Sequence, residues 1–289
     1  AYFNSGAVLY IPDNVEIKEP IEGIFYQDSD SDVPFNKHIM IIAGKNSKIS
    51  YLERLESRGE GSAKATANIT VEVIARSGAQ VKFAAIDRLG ENVTAYISRR
   101  GKLGNDASID WAIGVMNEGN VVADFDSDLI GNGSHAYLKV VALSSGRQVQ
   151  GIDTRVTNYG CNSIGNILQH GVILEKATLT FNGIGHIIKG AKGADAQQES
   201  RVLMLSDQAR SDANPILLID ENDVTAGHAA SIGQVDPEDM YYLMSRGLDK
   251  ATAERLVVRG FLGSVIVEIP VKEVRDEMIA TIEEKLSKR

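Results

Sequence analysis

From Val8 to about Val224, apolar residues recur in short runs at every second position. Ile69, Val71 and Val73 alternate with Thr70 and Glu72. Ala79, Val81 and Phe83 follow the same rule, and Ile109 and Trp111 flank Asp110. A period of two sends alternate side chains to one face, so each run predicts a strand with one buried face. Turn-forming residues separate the runs at Ser77-Gly78, Gly104-Asn105-Asp106, Asn117-Glu118-Gly119-Asn120, Gly131-Asn132-Gly133-Ser134 and Asn182-Gly183. A longer repeat lies beneath. Val81, Ile109 and Ala136 follow one another at steps of 28 and 27, as do Phe83, Trp111 and Leu138, and the register drifts after Leu138. This spacing fits coils stacked into a β-helix. It fits equally the evenly spaced strands of a sandwich or barrel.

The pattern changes at Asp236. Asp236-Pro237-Glu238-Asp239 reads as a helix start, with Asp as N-cap, Pro at the first helical position and acids in the first turn. Met240, Leu243 and Met244 then share a face, and Gly247 ends the helix. Asp249 caps a second helix with Ala253, Leu256, Val257 and Phe261 aligned. A third runs from about Pro270 with Val274, Met278, Ile282 and Leu286 on one stripe. The predicted organisation is a strand-rich body over residues 1–235 and a small helical module over 236–289. Gln27–Asp32 and Gly59–Ser62 read as solvated turns.

Composition narrows the function. Of 289 residues, 43% are hydrophobic, enough for a sizeable core. A net charge of −9 gives no electrostatic footprint for nucleic acid and little attraction to an anionic membrane. The apolar stretch 256–271 is interrupted by Arg259 and Glu268 and is too short and too charged to span a bilayer. The start, Ala1-Tyr2-Phe3-Asn4-Ser5, does not read as a signal peptide and has no initiator Met, consistent with a piece of a longer protein. A single cysteine, Cys161, excludes an internal disulfide and fits a reducing, cytoplasmic setting.

Enzyme and cofactor motifs are sparse. There is no G-x-x-x-x-G-K-[ST], so no P-loop for ATP. Gly131-Asn132-Gly133 and Gly183-Ile184-Gly185 lack the third glycine of a dinucleotide site. C-x-x-C, H-E-x-x-H and G-x-S-x-G do not occur. One thiol cannot hold an iron–sulfur cluster, which takes about four protein ligands. His228, set between Gly227 and two alanines, has room to meet a ligand or a partner, and neutral imidazole is a good ligand for iron or zinc. Glu221 and Asp223, nearby in sequence, are candidates to orient its ring or add an oxygen ligand, against their reading as turn residues. Cys161, His170 and His186 read as structural.

The segment from Phe181 to Leu248 carries a more specific signal. It contains Phe181-Asn182-Gly183, Gly190-Ala191-Lys192-Gly193-Ala194-Asp195-Ala196-Gln197-Gln198-Glu199-Ser200-Arg201-Val202-Leu203-Met204-Leu205-Ser206 and Asp223-Val224-Thr225-Ala226-Gly227-His228-Ala229-Ala230-Ser231-Ile232-Gly233. Asp236, Tyr241-Tyr242-Leu243 and Ser245-Arg246-Gly247-Leu248 follow. In order and spacing this resembles the SufB/SufD family of iron–sulfur cluster assembly scaffolds, its SufD branch most. The resemblance implies a right-handed β-helix. It implies that Lys189–Gln198 is a recurrent turn of that helix. It further implies that His228 lies at the contact with a SufB-like subunit, where a nascent cluster shared by the two is built, with no cofactor held by this chain alone. The C-terminal helices would dock an ABC-type ATPase, SufC, and Tyr241, Met244, Arg246 and Phe261 are the residues of anchoring type. Alone, the chain would form a homodimer through the same surface. Two departures stand out. Ala226 occupies a position where many SufD-like sequences have cysteine, and neither the cysteine nor the glutamate of the SufB branch is present. The function implied is that of a non-catalytic scaffold. The alternatives are a β-helix enzyme acting on acidic polysaccharide and a purely structural solenoid.

Overall fold

The computed structural model describes residues 3–61, 63–267 and 272–287. Sixteen strands form two eight-stranded sheets, and successive strands alternate between them. One sheet, A, takes the odd strands: β1 (Ser5–Ile11), β3 (Phe35–Ala43), β5 (Ala65–Ala75), β7 (Val93–Leu103), β9 (Val121–Leu129), β11 (Val149–Asn158), β13 (Thr178–Ile187) and β15 (Arg210–Ile219). The other, B, takes β2 (Ile21–Asp28), β4 (Lys48–Arg58), β6 (Gln80–Arg88), β8 (Ser108–Val115), β10 (His135–Ser144), β12 (Ile164–Ile173), β14 (Ala194–Met204) and β16 (Val224–Gln234). Neighbouring strands pair in parallel throughout both sheets. The chain is therefore a two-sheet β-solenoid, and the sandwich and barrel readings fall away.

The repeat in the sequence is the rung of this solenoid. Val81 pairs with Ile109 and Ile109 with Ala136; Phe83 pairs with Trp111 and Trp111 with Leu138. The drift is also real, since Ala136 pairs with Gly165 and Gly165 with Ala196, at longer steps. Inward residues stack rung upon rung. The rings of Tyr51, Phe83 and Trp111 lie 5.4 and 4.8 Å apart in succession, and the Trp111 indole N–H donates to Ser127 Oγ at 3.0 Å.

One corner is built from a column of left-handed residues: Asn14, Asn46, Gly78, Asp106, Gly133, Asn162 and Gly193 all have positive φ. Asn, Asp and Gly tolerate that region best. Side chains can neighbour one another in this column, as where Asn46 Nδ2 donates to Asn14 Oδ1 at 3.1 Å, but two of its glycines sit against an asparagine amide with no room for a Cβ. A Cβ on Gly78 would lie 2.2 Å from Asn46 Oδ1, and one on Gly193 would lie 2.3 Å from Asn162 Oδ1. Asn182-Gly183, predicted as a turn, lies instead inside β13. Asn182 belongs to an outward ladder, donating to Asp153 Oδ1 at 2.5 Å and accepting from Asn214 at 2.9 Å. Likewise Lys189–Gly193 forms a turn, but Ala194–Gln198 already belongs to β14.

Three helices follow: α1 (Pro237–Ser245), α2 (Lys250–Ile266) and α3 (Lys272–Ser287). Asp236 caps α1 by accepting from the Glu238 N–H, and Asp249 caps α2 by accepting from the Thr252 N–H. The predicted α3 stripe, Val274, Met278, Ile282 and Leu286, is buried; its predicted start at Pro270 lies outside the described residues. On α2 the buried face is Ala253, Val258, Leu262, Val265 and Ile266, while Leu256 points outward at 46% exposure. α2 and α3 lie on the outer face of sheet B, against Leu52, Ile86, Met116, Val141, Leu143 and Val172. Polar ties fix the edges of this contact. The Arg54 guanidinium meets both carboxylate oxygens of Glu277, and Lys285 Nζ donates to the Asn117 carbonyl at 2.7 Å. No helix among the described residues is long and apolar enough to cross a membrane.

Candidate functional site

The last rung, β15 and β16, is one of the two ends where the core face of the solenoid meets solvent. Each of its strands pairs on one side only. On β16 the inward positions continue those of β14: Val224 and Ala226 pack against the buried Ala194 and Ala196. His228 is the next residue on that face, in register with Gln198. With no further rung over it, His228 is exposed. Ile219 and Ile232, on the core-facing phase of the same rung, are exposed as well. The edge strand presents unpaired backbone donors and acceptors, and an imidazole stands among them.

Gly227 and Gln198 shape the surroundings. A Cβ on Gly227 would come within 2.6 Å of Gln197 Oε1, so a side chain there would have to turn the exposed Gln197 amide aside. Gln198 is 5% exposed and spans the interior, donating from Nε2 to the Ile216 carbonyl of β15 at 2.8 Å. It ties the two strands of the last rung across the core.

Glu221 and Asp223 serve the final corner. Glu221 is buried; its Oε2 accepts from the Gly190 N–H at 3.0 Å and its Oε1 from the Asn222 N–H at 2.9 Å. These backbone bonds, aided by Lys189 at 3.6 Å, lower its pKa to about 2. The Asp223 carbonyl accepts from the Gly193 N–H at 2.6 Å, closing the corner column, while its side chain is exposed. Both oxygens of Glu221 are thus engaged by backbone. Among the described residues, no group of three or more His, Cys, Asp or Glu has the geometry to hold a metal.

The remaining candidates are dispersed. Cys161 is half-buried at a corner, its N–H bonded to Asn132 Oδ1 at 2.9 Å and its Sγ 3.4 Å from the Gly190 carbonyl. His186 is on the outer face of sheet A, 3.2 Å from Asp220. His170 lies on the other side of the molecule, under α2, so the two histidines do not face one another. The His170 ring stacks on Phe261 at 5.0 Å, with Nδ1 3.3 Å from the Phe261 carbonyl and 3.4 Å from Ser264 Oγ, and Nε2 3.3 Å from Glu199. Serine, histidine and glutamate meet here, but the Ser264 hydroxyl donates to the Phe261 carbonyl at 2.8 Å. Burial, the largest influence, lowers the His170 pKa. The cluster pins α2 to sheet B. Phe261 is accordingly half-buried, whereas Tyr241 and Met244 are exposed on α1, and Arg246 just beyond it donates to the Tyr242 hydroxyl at 3.1 Å.

A buried charge cluster escaped the sequence reading. Arg99 pairs in bidentate fashion with Asp87, at 2.9 and 2.7 Å, and meets Glu53 Oε1 at 2.7 Å; all three side chains are wholly buried. The available signal was phase, since Glu53, Asp87 and Arg99 occupy core positions between Tyr51 and Leu55, after Ala85, and after Ile97. A cleft of about 820 Å³ opens elsewhere, between the turns at Gly59–Gly61 and Gly90–Asn92 and the C-terminal part of α3. Its lining sets Lys64, Arg88 and Lys285 against a small excess of acids, Glu56, Glu60, Glu91, Glu118 and Glu284.

Residues 25–261 match the family model described as SUF system FeS cluster assembly, SufBD core domain. The chain is 45% identical over 287 residues to the iron–sulfur cluster assembly protein SufD of Bacillus subtilis, covering 99% of this chain and 65% of that protein. A SufBD family protein of Staphylococcus epidermidis is 24% identical, covering 94% of this chain and 58% of the relative. One from Mycobacterium leprae is 27% identical, covering 91% and 30%. The chain thus spans less than two thirds of each of these proteins. With its parallel two-sheet solenoid and a core-domain match over most of its length, this chain belongs to the SufB/SufD family of iron–sulfur cluster assembly scaffolds, on its SufD side.

Proposed function

We propose that this chain is a non-catalytic scaffold subunit in a cytoplasmic complex that assembles iron–sulfur clusters. It pairs with a SufB-like subunit through the open rung β15–β16. The observation that carries this reading is His228, exposed on a core-facing position of an edge strand. An unpaired parallel edge accepts another strand by backbone hydrogen bonding. That pairing would bring a partner's thiolate beside the imidazole and complete a site that one chain cannot form. The cluster is cargo built between two subunits. α1 offers Tyr241 and Met244 to a SufC-like ATPase, with Arg246 beside them. Nucleotide-driven movement of that ATPase would shift the subunit contact between closed and open states.

The test is co-expression with SufB-like and SufC-like partners, comparing wild type with His228→Ala. The expected result is an assembled mutant complex with lost cluster formation. Unchanged cluster formation would remove His228 from the site and leave an interface role alone. The purified chain should hydrolyse no ATP, and turnover without partners would contradict the scaffold reading.

One observation favours an enzyme acting on acidic polysaccharide. Asp124, Asp126 and Asp128 stand in a row on the outer face of β9, and burial, followed by the charge of Asp124, raises Asp126 to about 6. However, Arg100 lies 3.4 Å from Asp124 and 3.9 Å from Asp126, and the row stands on the face of a sheet, away from the 820 Å³ cleft. The scaffold reading is therefore preferred. Cleavage of a uronate polymer by the purified chain would reverse that preference.

A further inference from the structure

The interior beneath His228 is polar. Gln198 lies directly under His228 in the strand ladder, and Ser200 and Gln169 lie behind it. All three are buried, at 5%, 1% and 0% exposure. Their hydrogen bonds are incomplete. Ser200 Oγ donates to Gln169 Oε1 at 2.7 Å, and Gln198 Nε2 donates to the Ile216 carbonyl at 2.8 Å. Gln198 Oε1 and Gln169 Nε2 have no protein partner. The two amides converge on Gly183 of the facing sheet, with Gln198 Oε1 2.7 Å and Gln169 Oε1 3.4 Å from where a Cβ there would stand. A larger residue at 183 would displace them.

Buried amide groups without protein partners destabilise a fold and are met in folded proteins by ordered water. Neighbouring strands are about 4.8 Å apart, so an imidazole at 228 has Gln198 as its nearest inward neighbour on its own sheet. The nitrogen that carries the proton in a neutral imidazole is set by the hydrogen bond that the ring makes on its inner side.

We propose that Gln198 and Gln169 hold an internal water beneath His228, and that Gln198, with this water, sets the tautomer and orientation of the His228 ring at the open end. Gln198 is then a positioning residue. It acts through the water, which accepts the inner ring N–H and donates to Gln198 Oε1, and leaves the other nitrogen with its lone pair toward the open end. This inference rests on the reading of His228 as the working group.

The test uses the isolated chain and reads the ratio of the two neutral His228 tautomers from ring nitrogen chemical shifts. Gln198→Leu should change that ratio by about 2- to 10-fold, the worth of one hydrogen bond. Gln169→Leu, one rung deeper, should move it in the same direction by less. Gln197→Ala, on the outer face of the same strand, should leave it alone. An unchanged ratio in Gln198→Leu, with β14–β16 amide protection as in wild type, overturns the proposal. Should Gln198→Leu loosen the last rung, Gln198→Glu decides, because its carboxylate must strengthen the same tautomer and an unchanged ratio overturns the idea. A crystal structure with no water between the two amides overturns it as well. No cluster is needed for these measurements. Failure of the His228→Ala complex test therefore removes the working-site reading and leaves the ring result standing, and the converse also holds.

Discussion

Arg99, Asp87 and Glu53 form a charged group wholly inside the core. With all three charged, the cluster carries a net negative charge in an apolar surround, and Glu53 Oε2 has no partner. Burial, opposed by Arg99, raises the Glu53 pKa. A raised folded pKa stabilises most below the ordinary carboxylate range of about 4.3, and that contribution fades as pH climbs through the folded value. Glu53→Gln should therefore be near neutral at low pH and gain stability relative to wild type as pH rises, by denaturant titration across the range. Arg99→Met leaves two buried acids facing each other and should cost about 3–5 kcal/mol. Glu221 has the opposite sign. Its pKa is lowered to about 2, so its contribution is complete above the ordinary carboxylate range and is lost as pH falls toward 2. Glu221→Gln should flatten the pH dependence of the melting temperature in that window. Neither cluster was legible as a partnership. The charged residues are visible along the chain, but apart from the Asn222 amide beside Glu221 their partners lie 12 or more residues away.

Strands and caps were legible because their causes are local. Alternation needs only neighbours, and Asp236 and Asp249 cap within two or three residues of themselves. The misread turn at Asn182-Gly183 shows the limit: the residue types were right for a turn, but Asn182 is held by Asp153 and Asn214 of adjacent rungs. Gly183 faces the Gln198 amide. A second signal went unread. Sheet B strands carry consecutive apolar residues, as in Ala84-Ala85-Ile86 and Val140-Val141-Ala142-Leu143, which is the mark of a strand covered on both faces. The cover is α2 and α3. Met278, fully buried at this contact, is the residue to test: Met278→Ala should cost about 2–5 kcal/mol. Hydrogen exchange should show the loss in α2 and α3 first, with the solenoid strands still protected.

At the scale of the whole molecule, a solenoid has two open ends, and its terminal strands are edges. β15 contains Pro215, which removes one backbone donor from that edge, whereas β16 has no proline along its length. β16 is thus the better template for a partner strand. Ala229→Pro, next to His228, should lower co-purification with a SufB-like subunit while the melting temperature of the isolated chain stays within a few degrees. Capture at wild-type levels would move the contact away from this edge.

What the sequence alone determined is whatever depends on neighbours along the chain: alternating strands, a rung near 28 residues whose step Val81–Ile109 reproduces, helix starts, and the chemistry available at His228. Its motifs between Phe181 and Leu248 also carried the family. Which residues of different rungs meet was left to the packed coil. Stacking placed Gln198 under His228 and buried Arg99 between two acids. It turned Glu221 toward the Gly190 and Asn222 amides and laid α2 and α3 on sheet B. The physical reason is that a parallel coil joins residues about thirty apart, where no local propensity reaches and only register determines contact.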